Sequence, residues 1–216
     1  MKTLLYITAH PINSYSNSVT VGNKFIETYR EANPEDEIVH LDLYKEDIPE
    51  IDFDLLRRWG QPPSGESFDG LSDESKVKAV RMRELVEQFV AADKIIIANP
   101  VWNLMFPPVL KSYIDTIFVP GITVKPANNG MRGLGGLVGT AQGKKVVHIQ
   151  ASGTILSYGE FEKLNFGDSY LRAVLTMLGI EDFQTIYVEG MAQYKDQADE
   201  IKSKALLEAT ELAKKF

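Results

Sequence analysis

Three short segments combine residue types that can hold a small ligand. The first, HPINSYSNSVT over 10–20, opens at His10 and enters a helical pattern at Ser16, Asn17 and Ser18. Hydroxyls beside the unpaired N–H groups and positive dipole end of a helix start make an anion site. The segment holds neither GxGxxG nor a GxxxxGK followed by Ser or Thr, so a pyrophosphate or triphosphate finds no matching cradle. A terminal monophosphate fits better. Ser is also a common helix cap, and Ser16 or Ser18 could be no more than that.

The second segment, NPVWNLMFPPVLKSYID over 99–115, gathers Pro100, Val101, Trp102, Asn103 and Leu104, then Met105 and Phe106. An exposed turn has little use for that apolar run unless something flat covers it. An isoalloxazine ring has apolar faces and a polar rim, so Trp102 and Leu104 can bracket it while Asn103 and nearby backbone meet its edge. A loop that plugs the core, with Trp102 as its anchor, is the competing reading. The third segment, IQASGTILSYGE over 149–160, supplies Ala151, Ser152, Gly153 and Thr154. Gly153 permits close backbone approach to a ring edge, and Ser152 and Thr154 add hydroxyls.

Other chemistry finds no residues to carry it. His10, His40 and His148 are far apart and no HExxH occurs, so no metal site is expected. There is no Cys and no GxSxG elbow, which removes thiolate catalysis and the hydrolase nucleophile. His148 lies in a strand-like run and reads as a satisfied core histidine. Most Asp and Glu fall on solvated helix faces, as in EDEI and YKDQADE. No catalytic side chain is singled out, which leaves the reaction to a cofactor.

These segments must be held by something regular. Apolar runs rich in β-branched residues occur at 4–8, 38–41, 94–98, 145–150 and 185–188, as expected of strands buried on both faces. Helical periodicity fills 16–30, 73–92, 108–118, 168–178 and 196–216 between them. The alternation predicts βαβ units, hence an α/β fold with a doubly wound, five-stranded parallel sheet and helices on both faces. Ser72, with Ser75 three residues on, predicts a capped helix start, and Gly179 a helix stop. In such a sheet ligands sit beyond the carboxyl ends of the strands, where strand order reverses. The three segments follow the first, third and fourth strands. Two connections, 42–71 and 119–144, are long enough to suggest function. Gly130, Gly133, Gly135, Gly136, Gly139 and Gly143 give the second the look of a lid or interface loop.

The 216 residues, 44% hydrophobic and 25% charged, suit a single domain spanning 1–216. A net charge of −7 disfavours nucleic acid and anionic membranes as partners. The apolar start at MKTLLYITAHP is too short for a signal or a membrane span. With no disulfide to form, a cytoplasmic location fits.

The segments YSNS (15–18), NPVWNLMFPPVLKSYID, GITV (121–124), GLVGTAQGKKVVHIQASG (136–153) and LGI…VEG (178–190) together resemble the bacterial FMN-dependent NADH-azoreductase and NADH:quinone oxidoreductase family. The likeness runs through nearly the whole chain. It implies a flavodoxin-like homodimer with non-covalent FMN, with active sites at the subunit interface and the 119–144 loop taking part. The expected activity is ping-pong transfer from NADH or NADPH to quinones or azo compounds. The resemblance places the phosphate at Ser16, Asn17 and Ser18 and the ring at Pro100, Val101, Trp102, Asn103 and Leu104. His10 and Ala151, Ser152, Gly153 and Thr154 complete the cofactor contacts. Many relatives have a Ser-Arg-Gly-Gly-like third loop and a serine where His10 stands. Met177 takes the place of an aromatic that covers the flavin in some members, which makes it an expected substrate-lining residue. The alternative in another class is an FMN-binding electron carrier without NADH turnover, favoured by the acidic charge.

Overall fold

The β-branched runs become strands and the intervening periodic segments become helices. A computed structural model of the chain describes residues 1–58, 61, 64–127 and 136–216. It begins with β1 (Thr3–Thr8), α1 (Asn17–Ala32) and β2 (Glu37–Asp42), followed by two short helices, α2 (Phe53–Arg57) and α3 (Glu66–Asp69). Next come α4 (Asp73–Ala91), β3 (Lys94–Pro100), α5 (Pro108–Ile117) and a small pair, β4 (Val124–Pro126) and β5 (Leu137–Gly139). β6 (Lys145–Ala151), α6 (Phe166–Met177), β7 (Asp182–Val188) and α7 (Ala198–Ala213) complete the order.

Five strands form one sheet in the order β2-β1-β3-β6-β7, every neighbouring pair parallel. The order reverses between β1 and β3, which makes their carboxyl ends the crevice of the sheet. Alternate side chains feed two apolar layers. Leu5, Ile7, Ile95, Ile97 and Val146 pack with Leu85, Leu110 and Leu171 of α4, α5 and α6. Leu4, Tyr6, Ile96, Val147 and Ile149 pack with Phe25 and Ala209 of α1 and α7. All residues named in these layers are buried, which is why the strands read as continuous apolar runs.

The expected strands and helices all occur, with ends displaced by up to three residues. Ser72 caps α4 as expected, its Oγ accepting from Ser75 N–H at 3.2 Å. Gly179 follows α6 with φ +96°, a left-handed conformation that glycine takes without strain. The long connections hold structure that periodicity missed: α2 and α3 in the first, and the antiparallel β4–β5 hairpin in the second. Gly130, Gly133 and Gly135 lie outside the described residues. Gly139 presses against backbone of the same chain: an added Cβ would sit 1.9 Å from the Leu178 carbonyl carbon. Among the described residues, no helix is long and apolar enough to cross a membrane.

Candidate functional site

The hydrogen-bond ladder of the sheet continues past the strands into the expected turns. Ala9 N–H donates to Ala98 O at 3.0 Å, Val101 N–H to Ala151 O at 2.7 Å, and Ser152 N–H to Val188 O at 3.0 Å. The turns are thereby fixed to one another around an open cleft of ≈ 210 Å³. His10, Ser16, Asn17, Pro100, Val101, Ala151, Ser152 and Gly153 all line it, so residues far apart in sequence are brought together. Tyr15 and Met191 line it too and were not singled out. Larger grooves lie beside α7 and α4, at ≈ 490 and ≈ 610 Å³, and neither contains residues of these turns before Ile155.

At the start of α1, Ser16 is the helix cap, its Oγ accepting from Val19 N–H at 3.3 Å. The N–H groups of Asn17 and Ser18 have no acceptor among the described residues. Capping and anion binding are therefore compatible: the side chain satisfies one donor and leaves two for a ligand. Ser18 is fully buried, with its Oγ 3.0 Å from Ser16 Oγ, so its hydroxyl backs the cleft rather than lining it. Asn13 Nδ2 ties the turn to β2 by donating to Asp42 Oδ2 at 2.8 Å. His10 Nδ1 accepts from Ile12 N–H at 3.0 Å, and its ring meets Trp102 edge-on at 5.9 Å.

Trp102 and Met105 close a tight turn through reciprocal backbone bonds of 2.6 and 3.1 Å. Asn103 and Leu104 at its tip have φ of +50° and +69°. Asn tolerates that region, whereas Leu104 stores about 1–2 kcal/mol of strain there. The N–H groups of both residues lack acceptors among the described residues. Trp102 is 39% and Leu104 38% exposed, so the turn is no core plug. It offers apolar area and two N–H donors outward, as a flat ring with a polar rim requires.

In the third turn Ser152 Oγ donates to Thr154 O at 2.6 Å, while Thr154 itself is exposed. Gly153 O accepts from Ala192 N–H at 2.9 Å and Gln193 N–H at 3.0 Å. A Cβ on Gly153 would lie 3.0 Å from Ala192 Cβ. The close approach expected at Gly153 is thus made by the β7–α7 turn, which brings Met191 into the cleft.

Met177, the expected substrate-lining residue, ends α6 and is not among the residues that line this cleft.

Behind the turns lies a buried polar layer. His148 is fully buried, as expected, with Nδ1 2.8 Å from Asp168 Oδ1 and Nε2 2.9 Å from Asn99 Oδ1. Asp168 also accepts from Thr185 Oγ1 at 2.6 Å and Tyr187 OH at 3.0 Å. Burial alone would raise the Asp168 carboxyl, but the bonds from His148 and Thr185 and the nearby Arg172 charge hold it well below the usual carboxylate range. Burial, then the Asp168 charge, pushes the Tyr187 hydroxyl up to about 12. No cluster of potential metal ligands occurs among the described residues.

A family model described as flavodoxin-like fold matches residues 2–213. An FMN-dependent NADH:quinone oxidoreductase of Geobacillus kaustophilus is 46% identical over 217 residues, the whole of both chains. The chain belongs to this flavodoxin-like family. An azoreductase structure from Bacillus anthracis matches this family member at 31% identity and a TM-score of 0.85, with both chains fully covered. An FMN-dependent NADH-azoreductase from Bacillus anthracis, solved in complex with FMN, is 29% identical with a TM-score of 0.82, covering 99% of this chain and 100% of that one.

Proposed function

We propose that the chain is an FMN-dependent oxidoreductase that takes hydride from NADH and reduces quinones and aromatic azo compounds. The carrying observation is the crevice between β1 and β3, where the helix start at Ser16 and Asn17 and the root of the apolar turn at Pro100 and Val101 line one cleft, with Trp102, Asn103 and Leu104 beyond its lining. When bound, FMN supplies the hydride chemistry. The Asn17 and Ser18 N–H groups and the Ser16 hydroxyl hold its phosphate, and one helix start for one phosphate favours FMN over FAD. The ring rests on Pro100, Val101, Trp102, Asn103 and Leu104, with His10 beside it. Ala151, Ser152, Gly153 and Thr154 form the opposite wall. Covered on one side by the turn, the ring leaves one face open, so donor and acceptor must use it in succession.

The test is turnover by purified protein supplied with FMN. NADH oxidation with menadione as sole acceptor should proceed, with parallel double-reciprocal lines when both substrates are varied. An FMN-binding protein without NADH turnover would be an electron carrier instead, and lines that intersect would require both substrates to bind together.

The working form is a homodimer in the cytoplasm. A cleft of ≈ 210 Å³ is smaller than the roughly 300–1,000 Å³ of most ligand sites, which leaves a wall for a second copy to supply. Tyr15 at its edge is 82% exposed, a large aromatic surface for a monomer to leave in water. Light scattering at micromolar concentration should report twice the chain mass; a monomer would remove the shared site.

A further inference from the structure

The geometry points to Asn99, His148 and Asp168 as a buried positioning unit that sets the root of the 100–105 turn against the cofactor cleft. The unit deepens the FMN reading given above and rests on it. Asn99, His148, Thr185 and Tyr187 lie on the face of the sheet that α6 covers, His148 and Thr185 midway along β6 and β7 and Asn99 and Tyr187 near the carboxyl ends of β3 and β7, while Ile95, Ile97 and Val146 lie at or before the level of His148 on the same face. The layer turns polar from mid-strand toward the cleft.

Both His148 nitrogens face oxygens, Asp168 Oδ1 on one side and Asn99 Oδ1 on the other. The ring is thus held at both nitrogens. Asp168 is held as an acceptor by Thr185 and Tyr187, so His148 is fixed from β7 and α6. With its oxygen occupied by His148, the Asn99 amide can present only its Nδ2, which donates to Pro100 O at 3.1 Å. On the other side of the same peptide, Val101 N–H donates to Ala151 O at 2.7 Å. The Pro100–Val101 plane is gripped from both sides, and the Trp102–Met105 turn grows from it.

Stability does not account for this arrangement. Well-packed apolar residues replace buried ion pairs at little or no loss, and often with a gain. An amide with its orientation dictated by a buried histidine–carboxylate pair does what Leu or Val cannot: it fixes one carbonyl direction. Asn99, His148 and Asp168 are positioning residues, since none of them lines the cleft.

The experiment compares wild type, His148→Leu and His148→Gln in two readouts: FMN affinity by flavin fluorescence, and amide exchange of Val101 in the FMN-free protein. Loss of the tie should weaken FMN about tenfold and speed Val101 exchange about tenfold in His148→Leu, with Gln, which keeps an amide donor, between Leu and wild type. Should His148→Leu not fold, Thr185→Val removes one donor to Asp168 and is expected to give about threefold effects in the same direction. Unchanged Val101 exchange overturns the positioning role, as does faster exchange with undiminished FMN affinity. A wild type that binds no FMN, yet loses Val101 protection on substitution, defeats the proposed cofactor while the positioning of the turn stands.

Discussion

Replacing Ser16 with Ala is expected to weaken FMN binding by about ten- to a hundredfold, the effect of removing one hydrogen bond to a charged group. Ser16 Oγ accepts from Val19 N–H and lies 3.0 Å from the buried Ser18 Oγ. Either hydroxyl of the pair can donate, and when Ser18 donates to Ser16 the Ser16 proton is free to turn toward the cleft. Ser16→Ala also removes the cap of α1, which costs about 0.5–2 kcal/mol of stability whatever the ligand. Ser16→Asp separates the two roles. Aspartate caps a helix as well as serine does, so the thermal midpoint should hold. Its charge beside a phosphate should nonetheless lower affinity by roughly a hundredfold or more. Titration of both variants with FMN decides the matter: if Ser16 is a cap alone, Ala lowers the midpoint but not the affinity, and Asp changes neither.

Gly139→Ala should destabilise the protein by about 3 kcal/mol or more, at the upper end of overpacking costs. Its Cβ would meet the Leu178 carbonyl carbon at 1.9 Å, the oxygen at 2.2 Å and Gly179 N at 2.3 Å. These are backbone atoms at the end of α6, so no rotamer change relieves the overlap. Retreat of β5 would also stretch the 2.8 Å bond from Ala141 N–H to Leu178 O. Gly136→Ala is the control: nothing lies within 4 Å of the added carbon, and its left-handed φ of +76°, which Gly139 does not share, sets a cost of about 1–2 kcal/mol without any overlap. The Gly139 variant should melt about 10 °C lower than wild type and well below the control. Equal midpoints for the two would show that the hairpin does not pack on α6 as described.

The sheet was legible because strands buried on both faces carry uninterrupted apolar runs, as at residues 95–98 of β3. The β4–β5 hairpin was not, since Val124–Pro126 is too short to show alternation. Within the site, Ser16 and Asn17 were readable as a helix start, which is a local signal. Met191 enters the cleft through the bonds from Ala192 and Gln193 to Gly153 O, a pairing with no trace in local spacing. Asp168 read as part of an ordinary helix, because its partners come from β6 and β7.

The covering of α1 bears on the sequence of events during synthesis. Phe25 and Tyr29 of α1 meet Phe216 at 5.5 and 6.4 Å, and Val21, Phe25 and Ile26 share their apolar layer with Ala205 and Ala209 of α7. The helix that follows the 10–16 turn is made early on the ribosome, and the helix that covers it is made late. Closing such a span costs chain entropy that only the finished layer repays. A nascent chain thus holds the turn's residues long before it holds their support, and the order of translation runs opposite to the order in which the cleft acquires its shape.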